Sequence, residues 1–272
     1  MAESTVPIIQ NKFYQFGGIV IMNEKQLKRF WKHEERIGIR GWDFSHLKRR
    51  WNNEKLPWDY RQLVLQSLTP NKMLLDMGTG GGELLSSFHH PAHQTAVTEA
   101  WQPNIDLLRK KFEPIGVTVY PVKQADMLPV HNQSVDIITN SHNAFNAKSV
   151  ANKLNSTGLF ITQQVGATNN FSLSQFLNPN YVPAFPKNTL LQTINACQKA
   201  GLKIRLDKQA FPKMTFFDVG AIVYYASIIP WEFPNFSVDK CLPQLLALQQ
   251  IIDTQKSITT NEDRFIVIAQ KA

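Results

Sequence analysis

Two kinds of hydrophobic spacing divide the chain near Met73. Before it, Leu27, Phe30, Trp31 and Ile37, and then Tyr60, Leu63, Val64 and Leu68, recur at helical intervals, with Pro70 closing the second run. The opening third is therefore expected to be helical and aromatic. After Met73, short apolar runs alternate with amphipathic ones. Strands are expected near residues 73–77, 95–99, 117–121, 135–140, 158–164, 203–209 and 264–270, with helices near 83–89, 102–112, 145–154, 187–200 and 237–253 between most of them. That alternation predicts an α/β fold with a mainly parallel sheet. Ligands of such sheets sit beyond the carboxyl ends of the strands, where strand order reverses.

Composition narrows the picture. A chain of 272 residues with 43% hydrophobic content can bury a substantial core, so disorder is excluded. Its two cysteines, Cys197 and Cys241, lie far apart without a C-x-x-C pair, which argues against a disulfide framework or structural zinc and points to a reducing cytosol. The N-terminal residues lack a signal-peptide pattern, and "AIVYYASIIPW" from Ala221 is too short to cross a bilayer. A soluble, cytoplasmic protein without a membrane partner is expected. The net charge of +8 is concentrated in Lys25 to Lys55. That excess suits RNA or an anionic small molecule, and a solvated helical face accounts for it equally well.

The densest chemistry is "MLLDMGTGGGELL", Met73 to Leu85, where an apolar strand runs into four glycines and then a helix start. Glycine costs roughly 0.5–1 kcal/mol relative to alanine in regular structure, so a cluster needs a local reason. Close approach of a ligand to the backbone is one, because the free N–H groups of the following helix would face it. Counting G-x-G-x-x-G from Gly78 puts Glu83 in the sixth place, and counting from Gly80 puts Leu85 there, so the dinucleotide spacing fails. What stands here is Asp76-x-Gly78-x-Gly80-x-Gly82, with Thr79 inside it. A second strand ends in Glu99, roughly 20 residues on, where a carboxylate can accept from both hydroxyls of a ribose. NAD and other nucleosides are equally compatible with Glu99 alone.

These residues resemble motif I of the class I S-adenosylmethionine-dependent methyltransferases, and the similarity extends through most of the chain after Met73. The resemblance implies a Rossmann-like, seven-stranded, mostly parallel sheet with helices on both faces. An N-terminal helical cap, residues 1–70, would precede a methyltransferase domain, 71–272, that carries a substrate-cap insertion near 211–255. It implies S-adenosyl-L-methionine as cofactor, its methionine part near Asp76, Gly78, Thr79, Gly80 and Gly82, and its ribose on Glu99 beside Ala100. In "QADMLPVHNQSVDII", Asp126 would accept from the adenine amino group and the Met127 N–H would reach a ring nitrogen, a donor beside an acceptor. Asn140, closing the fourth strand, completes the set, while Asp136 lies at the far end of the sheet.

Methyl transfer needs alignment, exclusion of water and, for some acceptors, removal of a proton. In "TNSHNAF", His142 is the candidate general base, because imidazole titrates near neutral pH. The N-P-P-[YFW] signature of amino-methylating enzymes is absent. "HHPAH" at His89, His90 and His93 follows the first helix of the sheet, away from the glycine loop, so no metal is assigned. Trp58, Tyr60 and Gln164 are candidate substrate contacts. Trp42, Trp51, Phe216, Phe217, Tyr224 and Trp231 are candidates to roof the pocket, which would favour a small, partly apolar acceptor. An RNA methyltransferase and a non-catalytic S-adenosylmethionine-binding module remain the alternatives.

Overall fold

The computed structural model of the protein describes residues 11–15, 18–39, 43–124 and 126–272, and its contacts divide the chain into two compact units. The larger comprises Lys55–Asn169, Phe185–Pro212 and Glu262–Ala272; the smaller comprises Met1–Glu54, Asn170–Ala184 and Lys213–Asn261. Lys55–Pro70, grouped by sequence with the preceding residues, fold with the larger unit because Tyr60 and Val64 enter its core.

Numbered within the larger unit, the strands are β1 Leu74–Met77, β2 Thr95–Glu99, β3 Thr118–Pro121, β4 Val135–Ser141, β5 Leu154–Val165, β6 Leu202–Ala210 and β7 Arg264–Lys271. They form one seven-stranded sheet in the order β3-β2-β1-β4-β5-β7-β6. Pairings from β3 to β5 are parallel, and β7 runs antiparallel to both of its neighbours. The helices are α1 Tyr60–Leu65, α2 Glu83–Ser87, α3 Gln102–Phe112, α4 Ala147–Lys153 and α5 Leu190–Lys199.

Alternation along the central strands sends neighbouring side chains to opposite faces, so all four residues of β1 are buried. Leu75, Met77, Ile138 and Phe160 join one apolar cluster with Val150 of α4 and Cys197 of α5. Leu74, Val97, Ile137 and Ile161 join another with Tyr60 and Val64 of α1 and Leu108 and Phe112 of α3. Helices therefore cover both faces. Strand β5 is longer than the apolar run 158–164 suggests because the chain turns extended at Leu154, directly after α4, and pairs there with Val135. Helix α5 starts later than residue 187 because Thr189 caps it, accepting from the Gln192 N–H at 3.3 Å.

The smaller unit has its own core around the helix Val219–Ile228, which is apolar on all sides and therefore central. This is the stretch that reads as the most apolar of the sequence; among the described residues no helix is long and apolar enough to cross a membrane. Helix Glu24–Glu34 buries Leu27 and Trp31 against that core. The N-terminal third is less helical than its spacing suggests: it includes a hairpin, Asn11–Gln15 with Gly18–Met22, and a strand, Trp51–Asn53. That strand pairs with Lys213–Phe216, which pairs in turn with Ile258–Asn261. Glu34, His46, Arg50 and Asp218 form a polar knot: Arg50 forks onto Asp218 at 2.6 and 2.9 Å and reaches Glu34 at 2.9 Å. Asp218 also caps the central helix through the Ala221 N–H at 2.7 Å.

Candidate functional site

Strand order reverses between β1 and β4, so the crevice of this sheet opens beyond Met77 and Ser141. The glycine loop stands there. Gly78, Gly80 and Gly82 all hold left-handed backbone, with φ of 63°, 62° and 78°. Packing explains two of them, because a Cβ on Gly78 would strike Asn143 and one on Gly82 would strike Phe112. Gly80 differs: no atom lies within 4 Å of the place its Cβ would occupy. Its backbone faces open space at the carboxyl edge of the sheet.

Asp76 and Glu99 flank this loop. Asp76 is buried, and its two oxygens accept from the Thr139 hydroxyl at 2.6 Å and the Thr79 hydroxyl at 2.8 Å. Burial, and secondarily the nearby Glu99 carboxylate, lift Asp76 to about 6 against the pull of those two hydroxyls. Glu99 is clasped by backbone: it accepts from the N–H of Gly80 at 2.9 Å, Ala100 at 2.8 Å and Trp101 at 3.0 Å, and from the Asn104 amide at 3.5 Å. One carboxylate thus ties the glycine loop to the turn that opens α3. In the loop after β3, Asp126 is half-buried and the Met127 side chain is exposed. The Met127 N–H, expected to face a ligand, donates to Gln124 O at 3.1 Å because the chain closes a turn there.

Asn140 is wholly buried at the end of β4, where its Oδ1 accepts from the Gln164 amide at 2.8 Å and the Asn143 N–H at 3.2 Å. Gln164 also donates to Asn143 O at 3.0 Å, so this amide braces the loop after β4. Tyr60, a candidate substrate contact by sequence, is a core residue. Its hydroxyl accepts from the Asn140 N–H and donates to Ile161 O, both at 3.1 Å, between β4 and β5. Trp58 is partly buried against the same cluster. Asp136, at the opposite edge, accepts from the Met73 N–H at 2.7 Å, and His90 bonds Lys72 O at 2.8 Å.

His142 has left-handed backbone, φ 65°, and its N–H donates to Gln163 O at 2.9 Å. The residue is open to solvent, with protein crowding its ring. That surrounding, and next the positive charge of Arg264, draw the imidazole down to about 4, so it is neutral at physiological pH. Arg264 is a residue that spacing did not single out. It opens β7 opposite Val165 of β5, at the same edge of the sheet, and contacts Glu262 and the Asn169 Oδ1. Burial raises Glu262 against the opposing pull of Arg264. Its only signal in the sequence was a charge at the start of the last apolar run.

The aromatic residues expected to roof the pocket divide between interior and surface. Trp51, Phe216 and Tyr225 meet with ring centroids 5.6–6.2 Å apart, and Phe216 and Tyr224 are buried in the smaller unit's core. Phe217 and Trp231 are exposed, and Trp42 lies outside the described residues.

No family model matches the sequence, and no curated protein sequence matches it. Solved structures do. A protein of Bacillus halodurans C-125, provisionally named a methyltransferase, aligns with a TM-score of 0.54 at 15% identity, over 78% of this chain and 98% of its own. The YcgJ protein of Bacillus subtilis aligns with a TM-score of 0.52 at 16% identity, over 78% and 97%. A functionally unknown protein of Deinococcus radiodurans R1 aligns with 0.52 at 13% identity, over 84% and 99%. Such identities establish architecture. With the glycine loop at the switch point and the antiparallel β7 inserted beside β5, the chain has the fold of the class I methyltransferases.

Proposed function

We propose that this protein is an S-adenosylmethionine-dependent methyltransferase, with the donor in the crevice beyond β1 and β4. The observation that carries the reading is Gly80: left-handed, unobstructed, and held by Glu99 in a loop next to a buried carboxylate. A cationic sulfonium and amino group suit that pair of acids, whereas a dinucleotide pyrophosphate would meet two carboxylates. The residues fit the donor. Asp76, Gly78, Thr79, Gly80 and Gly82 would hold its methionine part, Glu99 and Ala100 its ribose and Asp126 its adenine, while Asn140 would shape the floor; Met127, its N–H committed to Gln124 O, would only border the ring. Asn104, at 3.5 Å, is the weakest of the groups bonded to Glu99 and the one most readily exchanged for a ribose hydroxyl.

The donor, when bound, supplies a methyl carbon already activated by the sulfonium. The chain's part is to orient it, exclude water and accept a proton where the acceptor carries one. His142, neutral at physiological pH, is free to accept a proton, but an imidazole drawn down to about 4 is a weaker base than the near-neutral titration that recommended it. A small-molecule acceptor is the simplest partner, although the burial of Phe216 and Tyr224 withdraws part of the apolar roof that favoured one. An RNA acceptor is a second reading, favoured by the basic face described below. Production of S-adenosylhomocysteine with any acceptor eliminates a purely non-catalytic module.

Calorimetry tests the donor site. Glu99→Ala should weaken S-adenosylmethionine binding by about 1.5–3 kcal/mol as charged hydrogen bonds are lost, and Gly80→Val should abolish it by filling the open space. Unchanged affinity in both variants, or saturable uptake of NAD with none of the methyl donor, refutes the assignment.

A further inference from the structure

The helix Glu24–Glu34 and the turn after it place Lys25, Lys28, Arg29, Lys32, His33 and Arg36 around a groove of about 490 Å³. These positions follow the i, i+3, i+4, i+7 rule, so the cations share one side of the helix. They form two rows. Lys28 and Lys32 are half-buried and both pair with Asp239, at 2.8 and 2.7 Å, while Glu35 is engaged by Lys32 and the Val238 N–H. Lys25, Arg29, His33 and Arg36 are exposed, and among the described residues no carboxylate pairs with them. The helix rises 1.5 Å per residue, so Lys25, Arg29 and His33 follow one another at about 6 Å. The remaining acid of the last turn, Glu34, is buried against His46 and Arg50 and does not neutralise this row.

We propose that this exposed row binds the phosphate backbone of single-stranded RNA, a claim that stands on the helix face and not on the methyl-donor site. Several permanent cations in line match a chain of regularly spaced anions, which a single metabolite does not present. A membrane-surface helix needs an exposed apolar face, and here Leu27 and Trp31 are buried in the core. An acidic protein partner would need a cluster of aromatic or aliphatic anchors, and beside the exposed row only Ile37 is an exposed large apolar residue among those described. One narrow row suits one strand, and single-stranded polynucleotide in a cell is predominantly RNA.

Fluorescence anisotropy with a short labelled oligoribonucleotide of mixed sequence tests the proposal. With three permanent charges, Lys25, Arg29 and Arg36, each contributing about −0.7 to the slope of log affinity on log salt, binding should weaken about twentyfold between 50 and 200 mM salt. The triple variant Lys25→Gln, Arg29→Gln, Arg36→Gln should lose binding while keeping the wild-type melting temperature and calorimetric affinity for S-adenosylmethionine. No binding by the wild-type protein at 50 mM salt, binding unchanged in the triple variant, or capture by phosphatidylserine vesicles but not by RNA each overturns it. None of those results bears on the donor site, which the Glu99 and Gly80 variants test separately.

Discussion

Replacing Asp76 by asparagine should make the protein more stable and leave it less able to hold a cationic donor. The folded chain lifts this carboxyl from the ordinary 3.8 to about 6, chiefly by burial. Keeping it ionised therefore costs about 3 kcal/mol at neutral pH, since each tenfold change in proton affinity is worth about 1.4 kcal/mol. The folded state binds the proton more tightly than the unfolded chain, so this contribution favours folding fully below about pH 4 and is lost as pH rises through 6. Asparagine keeps the size and can still meet the Thr139 and Thr79 hydroxyls without a charge to desolvate. Urea denaturation of both proteins across pH 4 to 8 measures the difference. The variant's advantage should be small at pH 4, grow through pH 6 and level off about 2–3 kcal/mol higher, since the shift already includes the pull of the two hydroxyl hydrogen bonds. Donor affinity of the wild type should rise over the same interval, because the ionised form is the one that attracts a sulfonium. A stability difference that does not vary with pH, or a variant that is less stable at pH 8, refutes the reasoning.

Three further outcomes follow from the contacts. Tyr60→Phe removes the hydroxyl that bridges the Asn140 N–H and Ile161 O, leaving buried backbone groups without that partner; it should cost about 1–3 kcal/mol in urea denaturation with little change in donor affinity. Arg50→Ala removes the cation shared by the buried Glu34 and the half-buried Asp218 and should destabilise the smaller unit by about 2–4 kcal/mol, read by loss of amide-exchange protection in the helix Val219–Ile228. His142 should keep the NMR signature of a neutral imidazole down to about pH 4, with His142→Gln identifying its resonances; titration near 6.5 would contradict the desolvation of its ring by the surrounding protein, which Arg264 only reinforces.

The sequence by itself determined the local devices. Short apolar runs between amphipathic segments located all seven strands of the large sheet, because strands covered by helices on both faces are apolar nearly throughout. The junction of Met77 with Gly78–Gly80 announced a sharp turn, since left-handed backbone is what glycine is free to adopt, and Glu99 stood at a strand end that could be counted off. Tertiary structure decided what depends on which segments meet. Tyr60 reads as part of an apolar helix face and a candidate substrate contact; only the fold brings Asn140 of β4 and Ile161 of β5 to its hydroxyl, residues 80 and 101 positions away. Val219–Ile228 has no amphipathic period to betray a helix, because it is surrounded on every side by a core drawn from three separate stretches of chain. Arg264 reaches the candidate site only because β7 inserts antiparallel beside β5, a choice of neighbour and direction that no periodicity encodes. Arg50 and Asp218 likewise meet across 168 positions. Local spacing reports the conformation each segment prefers, while partners so distant are selected by the burial that the whole fold makes available.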